Sequence, residues 1–420
     1  MAMFFRRHWS LILALCLLTA GQFLLLERIG AGLSPSHIGD PYSEADAFRA
    51  SGFYAEHGLW SNVGLPDILS VPRFLDDGWV ADLRYKVETG DSNSDATDLP
   101  HGVYTRYPPL PMLMLGAMEQ RFGFHPQLFR LLPVLIGLLS LSLWCTRLRD
   151  SVGGPAGHLG VLLTGALPMT FQYMSGTHYQ GYALSLYLIE CWLIVGAISS
   201  NAYTRWKLSG MAVICFLQGC LSFDYLFIVT ATPVLLPMIM GNVTDQRTLP
   251  RLSLEAALIA GGCFVLALSL HFLQVVSFYG NFDSAFADWF GRATHRVHDN
   301  GGLASRVIVA QAIQGYLREF FIPNSRHFGW QPLFLWLSLV ALRGPRWIVS
   351  RRDALRPFST FALCMVCSLC WVATMPAMSL KHMHFIPRLF FLPYLALLIP
   401  TLSHLNALVG QSRDRRVVPN

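Results

Sequence analysis

The chain has 420 residues, of which 53% are hydrophobic and 13% charged, with a formal net charge of +6. Soluble domains carry about a quarter charged residues, so the composition excludes an ordinary soluble protein and predicts a polytopic membrane protein. The apolar runs are about twenty residues long, as in membrane-spanning helices, and lack the alternation of barrel strands. The positive charge lies in loops without interleaved aromatic residues, which argues against nucleic acid as a partner.

The first apolar run covers residues 9–26 and follows Arg6 and Arg7. Its length, and the lack of a small-residue cleavage site after it, predict an uncleaved first span rather than a signal peptide. In all, the sequence predicts about ten spans in a single membrane domain over residues 1–420, without a separate soluble domain. The predicted spans are residues 9–26, 127–146, 155–174, 180–199, 208–222, 226–241, 253–275, 329–343, 357–376 and 389–409.

Arginine and lysine indicate the orientation of these spans. They flank one set of span ends, whereas the two shortest turns at the opposite ends, residues 175–179 and 223–225, contain neither. Short loops rich in Arg and Lys stay in the cytoplasm, so we expect both termini to be cytoplasmic. No N-x-Ser/Thr motif lies in the predicted outward loops, which favours a bacterial inner membrane.

Two predicted outward loops are long, residues 27–126 and 276–328, and loops of this length are usually functional. In the first, "SHIGDPYSEADAFRASGFYAEHGLW" predicts a short amphipathic helix that starts at Ser43 and ends at Gly58. We expect this helix to lie along the membrane surface. Its start would then hold three carboxylates near the lipid head groups, those of Asp40, Glu44 and Asp46. The alternative is that these carboxylates only complement the helix dipole.

A second short helix is predicted in "TRYPPLPMLMLGAMEQRFG", with Pro108 and Pro109 before its start and Gly123 at its end. A helix of about fourteen residues is too short to span a bilayer, so it must be interfacial or re-entrant. Its N-terminus would bring Arg106 and Tyr107 to the lipid surface. Helix N-termini and guanidinium groups both bind phosphate, so a lipid-linked phosphate is the expected ligand.

Further basic residues are candidates for the same phosphate. Arg130 starts the second span, and the last outward turn, "MSLKHMHFIPRLFF", contains Lys381, His382 and Arg388. Such charge is unusual in a short outward turn. The alternative for Lys381 and Arg388 is that they anchor helices at the membrane interface.

Three other groups of polar residues have competing interpretations. Asp224 at the outer rim is a candidate contact for an acceptor, or else caps the following helix; His384 is a second acceptor-side candidate. "THRVHDNGG" in the second long loop is interpreted as a solvated segment rather than a metal site. The closely spaced cysteines 364, 367 and 370 are interpreted as packing residues rather than cluster ligands. No metal site is predicted, and participation of a divalent ion stays open.

An acidic helix after the first span, a "PPL" helix ending in "FG", and the arginine-started span "HPQLFRLLPVLIGLLSLSLW" together resemble the membrane glycosyltransferases of the GT-C superfamily. Protein O-mannosyltransferases and lipid A aminoarabinose transferases are the most similar in pattern, over residues 1–150. The resemblance implies an all-α polytopic fold of GT-C type, with about ten transmembrane helices and interfacial helices in the first extracytoplasmic loop.

The resemblance also implies an activity: inverting transfer of a sugar from a polyprenyl-phosphate carrier to a glycan, lipid or protein acceptor, with no tightly bound cofactor. Family members commonly place adjacent Asp and Glu at the start of the surface helix. This chain has Asp40, Glu44 and Asp46 instead, so any of the three is a candidate base. Basic residues near the final spans would hold the lipid phosphate.

Two other function classes compete with the enzyme. A transporter or flippase of a lipid-linked or amphipathic substrate should have polar residues deep in several spans, and these spans offer few, chiefly Glu190 and His271. A catalytically inactive relative that acts as a scaffold is the third possibility, because the adjacent Asp-Glu pair is missing.

Overall fold

The architecture is taken from a computed structural model. The structure describes residues 2–29, 41–68, 103–105, 107–174, 176–200, 203–240, 248–297, 305–323, 325, 327–343, 351–374 and 389–414. Within these ranges the chain is helical, with isolated bridges such as Asp67 to Val103 in place of extended sheet. The prediction of an all-α membrane protein is therefore confirmed at that level.

Fifteen α-helices are present in the described ranges. They are α1 (Ala2–Ile29), α2 (Pro41–His57), α3 (Leu110–Phe122), α4 (Pro126–Val152), α5 (Gly154–Gly165), α6 (Pro168–Met174), α7 (Tyr179–Ser199), α8 (Arg205–Gly219), α9 (Leu226–Met240), α10 (Thr248–Tyr279), α11 (Phe282–Val297), α12 (Ser305–Phe321), α13 (Gln331–Arg343), α14 (Arg351–Thr374) and α15 (Phe391–Asp414).

Six helical segments of the described chain are long and apolar enough to cross a membrane. They lie on α4, α7, α9, α10, α14 and α15, and they coincide with six of the ten predicted spans. The other four predicted spans correspond to shorter apolar stretches. In α1 and α13 the apolar parts are His8–Leu24 and Gln331–Leu342, and α8 has 15 residues.

The predicted span at residues 155–174 is two helices rather than one. α5 ends at Gly165, and α6 begins at Pro168 after a two-residue break. Proline has no N–H for an intrahelical bond but fits the first turn of a new helix, so the chain breaks before Pro168 and restarts there.

The two short helices predicted in the first long loop are both present, with ends close to those expected. α2 ends before Gly58 and α3 ends before Gly123, two glycines with φ of 91° and 78° that only glycine adopts at little cost. α2 begins at Pro41, two residues before the predicted start.

The expectation that α2 lies along the membrane surface is wrong in one respect. Every residue from 44 to 54 is buried, so the helix is enclosed by protein instead of presenting one face to lipid or water. Its main partner is α3, which approaches closely because Gly116 faces Tyr54; a Cβ on Gly116 would lie 2.5 Å from the Cβ of Tyr54. Small residues at the crossing allow two helices to pack at short range.

The second long loop contains helices rather than an irregular segment. α11 and α12 occupy much of residues 276–328. His295 is on α11, so its interpretation as part of a solvated loop is corrected to a helix; His298 and Asp299 lie outside the described residues.

Candidate functional site

Glu44 and Arg130 form a buried ion pair between α2 and the start of α4. Arg130 Nη1 and Nη2 donate to Glu44 Oε1 and Oε2 at 2.6 and 2.7 Å, and the two side chains are 1% and 2% exposed. The guanidinium also lies over the ring of Phe48, 5.8 Å from its centre. The structure thus brings together two residues predicted for different tasks, the candidate base Glu44 and the candidate phosphate ligand Arg130.

The same carboxylate holds a third segment. The backbone N–H and the hydroxyl of Thr177, in the turn before α7, both lie within hydrogen-bond distance of Glu44 Oε1, at 3.2 and 3.3 Å. Glu44 therefore joins α2, α4 and this turn through one side chain. These contacts with Arg130 and Thr177 give Glu44 a tethering role in the fold.

Asp46 lies two residues after Glu44 on α2. It is 4% exposed, and its Oδ1 accepts a hydrogen bond from Arg49, which is fully buried one turn later. The guanidinium stabilises the charge of the Asp46 carboxylate. Unlike Glu44, Asp46 lines a pocket.

That pocket, which we call the Asp46 pocket, is narrow, with a cavity volume of about 10 Å³, room for about one water molecule. Three parts of the chain form it: α2, the segment leading into α3, and the turn leading into α7. Its lining residues are Asp46, Ala47, Tyr104, Tyr107, Pro108, Pro111, Met112, His178 and Tyr179.

Tyr107, a predicted phosphate ligand, is part of an aromatic stack at the pocket wall. Its ring lies 4.8 Å from Tyr179 and 4.8 Å from Phe223, with interplanar angles of 25° and 8°. Tyr104 continues the stack at 6.4 Å, and Phe223 contacts Trp371 of α14 at 5.7 Å. Through Tyr179, Phe223 and Trp371, the stack fixes the segment before α3 against α7, the short turn before α9, and α14.

His178 lines the pocket and caps the helix that follows it. Its Nδ1 accepts from the backbone N–H of Gln180, which caps the N-terminus of α7. A neutral imidazole that accepts at Nδ1 carries its proton on Nε2. Both α3 and α7 begin at the pocket, with Pro109 and His178 as their capping residues, so two helix N-termini with positive partial charge lie there.

A second set of hydrogen bonds holds the other side of the segment before α3. The Thr105 hydroxyl donates to Asp288 of α11 at 2.7 Å, and His271 Nε2 of α10 lies 3.1 Å from the Thr105 carbonyl. His271 Nδ1 is 3.1 Å from Gln274 Oε1, and the Gln274 amide in turn donates to Val63. The neighbours of residue 106 are thus fixed on both flanks.

Several predicted site residues cannot be placed in this geometry. They lie outside the described residues and stay predictions: Asp40, Arg106, Lys381, His382, His384 and Arg388. Asp224 is described and is 6% exposed. It follows Phe223 of the aromatic stack, and the hydroxyl of Ser222, rather than Asp224, caps the short 3-10 helix there.

The sequence interpretation missed three pocket residues, Tyr104, His178 and Tyr179. For His178 and Tyr179 the sequence did contain a signal. A histidine followed by a tyrosine in a very short predicted outward turn places a polar and an aromatic side chain together at the end of a span. The pairing of Thr177 with Glu44 had no such signal, since the two residues are 133 positions apart.

Comparisons with protein-family models, with characterised proteins and with solved structures found no match to this chain.

Proposed function

We propose that the protein is an inverting glycosyltransferase of the membrane, which moves a sugar from a polyprenyl-phosphate carrier to an acceptor at the extracytoplasmic face. The observation that carries the proposal is the Asp46 pocket. There a buried carboxylate lines the same cavity as His178 and as residues at the N-termini of two helices. This supports an acid–base reaction on a substrate that bears an anionic group.

The reaction has two electrostatic needs, and the pocket offers a group for each. When the sugar leaves its carrier, the phosphate gains negative charge; the helix N-termini of α3 and α7 and the His178 N–H can stabilise it. The acceptor hydroxyl must lose a proton as it attacks the sugar carbon. Asp46 is the described carboxylate in position to take that proton. Asp40 stays a candidate from the sequence.

Arg106 is proposed as the main cation for the phosphate. It follows Thr105 and precedes Tyr107, whose positions on either side are fixed by hydrogen bonds and stacking. Lys381, His382 and Arg388 are proposed to complete the phosphate site, and Asp224 and His384 to contact the acceptor.

The alternative function is transport or flipping of a lipid-linked substrate. It depends on polar side chains within spans, of which Glu190 and His271 were the candidates. Glu190 is fully buried and accepts from Gln218 of α8 at 3.2 Å, and His271 is engaged by Thr105 and Gln274. His271 thus has a polar neighbour at each ring nitrogen, whereas Glu190 Oε1 is buried without a hydrogen-bond partner among the described residues. The Asp46 pocket, rather than the burial of these two residues, favours the enzyme.

A reconstituted assay can test the proposal. The full chain in nanodiscs is supplied with polyprenyl-phosphate mannose, glucose or aminoarabinose and with a cell-envelope fraction as acceptor. Release of polyprenyl phosphate is measured by mass spectrometry. We expect release from at least one donor, and Asp46→Asn should lower the rate by about 10²–10⁴-fold because the base is lost.

Two variants accompany this measurement. His178→Asn keeps a side chain that can cap α7 but removes the Nε2 donor, so it should lower the rate without unfolding the protein. Asp283→Asn, at an exposed residue of α11, is the matched control and should leave the rate unchanged. Full activity of Asp46→Asn would contradict its role. In liposomes that contain the full chain, carrier that crosses the bilayer intact, without formation of polyprenyl phosphate, would indicate a transporter instead.

A further inference from the structure

We propose that α11 is an interfacial helix, which lies in the bilayer surface beside the Asp46 pocket with Phe282 and Phe286 inserted into lipid. The inference does not depend on the proposed enzyme activity. It rests on which side chains of α11 the protein covers and which it leaves uncovered.

The apolar side of α11 is wider than the protein surface against it. Ala285 is fully buried, and Trp289, one turn later, packs against Phe272 of α10 with ring centres 4.9 Å apart. Phe282 and Phe286 extend the same apolar side. They stack on each other at 5.9 Å yet are 57% and 50% exposed. Two large adjacent apolar rings that stay about half exposed indicate a contact outside the chain.

The surface that these rings continue is that of a membrane span. α10 contains the candidate span Ser253–Tyr279, which ends three residues before α11 begins. Its exposed leucines, Leu266, Leu270 and Leu273, face the lipid side of the span. Phe272, next to Leu273, touches Phe282 edge-on at 5.5 Å. The lipid-facing surface of α10 is therefore continuous with the rings of α11.

The remaining sides of α11 fit this placement. Asp283, Ser284 and Ala287 are exposed on the side away from the rings, and the Ser284 N–H is capped by Asn281 Oδ1 at 2.7 Å. Asp288 is 5% exposed and accepts from Thr105. One side thus faces protein, one faces lipid and one faces water, which is the division expected of a helix in the membrane interface. Phenyl rings at the end of a span also suit this depth.

This placement gives the helix a position relative to the site. Because Asp288 holds Thr105, two residues from Tyr107, α11 connects the lipid boundary to the pocket wall. A lipid-borne molecule that reaches the pocket from that side would pass along α11.

Photo-crosslinking can test the lipid contact. Phe286→p-benzoylphenylalanine and, as the matched control, Asp283→p-benzoylphenylalanine are made in the full chain and reconstituted in nanodiscs of phosphatidylethanolamine and phosphatidylglycerol. After irradiation, covalent lipid adducts are quantified by mass spectrometry. We expect several-fold more lipid adduct at position 286 than at position 283, with unchanged melting temperatures of both variants.

Two results would overturn the proposal. Equal lipid adducts at the two positions would show that α11 has no lipid-facing side. Adducts from position 286 to a second copy of the chain, without lipid adducts, would show that a protein partner covers the two rings instead.

Discussion

At the scale of single residues, the main result concerns Glu44. A carboxylate in the first turn of a helix has an ordinary explanation in the helix dipole, and a functional one as a base. The structure adds a third, because Glu44 tethers Arg130 and Thr177. No local pattern indicates this role, since the contact joins residues 86 positions apart. The residue type could be predicted to matter, but its partner could not.

The contact between Glu44 and Arg130 predicts how the free energy of unfolding changes when one or both residues are replaced. Glu44→Gln should lower the free energy of unfolding by about 3–5 kcal/mol, because it removes the carboxylate that both terminal nitrogens of the buried Arg130 contact. The double variant Glu44→Gln with Arg130→Met should recover much of that loss, because the buried ion pair is then replaced as a whole by uncharged side chains. The measurement is thermal unfolding of the detergent-solubilised chain.

The same pair of variants separates structure from catalysis. If the double variant regains sugar transfer together with stability, Glu44 is not the base and Arg130 is not a required phosphate ligand. If stability returns while transfer stays absent, the tethering role is insufficient, and one of the two residues acts on the substrate.

Another residue of α2 shows how burial fixes a protonation state. Tyr54 is fully buried and donates its hydroxyl to the carbonyl of Gly64 at 2.6 Å. Burial raises the pKa of the Tyr54 phenol well above its ordinary value. The hydroxyl consequently keeps its proton throughout the physiological range and remains a donor that ties α2 to the turn after it.

At the scale of elements, the sequence predicted α2 and α3 well because their ends have specific chemistry. Prolines precede both starts or occupy them, and glycines with positive φ follow both ends. Burial of α2 was not predictable in the same way. Whether an amphipathic helix lies on lipid or inside protein depends on a partner elsewhere in the chain, here α3.

The crossing of α2 and α3 predicts a large effect of a small substitution. Gly116→Ala should destabilise the chain by about 1–3 kcal/mol, because its Cβ would overlap the side chain of Tyr54. Gly262→Ala on α10 is the control; a Cβ there meets nothing within 4 Å, and alanine favours helix by about 1 kcal/mol over glycine.

Both variants are compared by thermal unfolding in the same detergent. A stable Gly116→Ala variant would mean that α2 and α3 are not in close contact. Since α2 carries Asp46, we also expect Gly116→Ala to lower sugar transfer more than Gly262→Ala does.

The second long loop shows where sequence patterns were insufficient. "DNGG" correctly marks the end of regular structure, because α11 ends at Val297 directly before this motif. The helix upstream was missed although Phe282, Ala285, Phe286 and Trp289 recur at helical spacing on one apolar side. What the pattern alone does not explain is the exposure of the two phenylalanines. They become intelligible once a span is known to end three residues earlier.

At the scale of the molecule, the described chain has two chemically different ends. The Asp46 pocket lies at one. At the other, Arg147 lies over Trp192 at 5.7 Å, and Lys207 donates to the Gly196 carbonyl at 2.8 Å, near the end of α7. Cations near a helix C-terminus satisfy its last carbonyls. Hydropathy was enough to predict the six long spans. It did not predict the lengths of the shorter helices between them, because those lengths depend on packing against neighbouring helices.

This arrangement predicts an orientation that labelling can check. With arginine and lysine inside, Ser284→Cys on α11 should react with a membrane-impermeant maleimide in intact cells, and Thr204→Cys before α8 should react only after permeabilisation. Both positions are exposed. The parent chain, whose nine cysteines lie in apolar helices or, for Cys220, directly after one, gives the background. The reverse pattern would place the pocket in the cytoplasm.

The ring of Tyr107 has a consequence for how the protein is made. It stacks against the rings of Tyr179 and Phe223, which emerge from the ribosome much later than residue 107. A nascent chain that has inserted only its first helices would lack both of these stacking partners. The wall of the cavity at residue 46 would therefore be completed late in biosynthesis, after the segments that contain Tyr179 and Phe223 have joined the bundle.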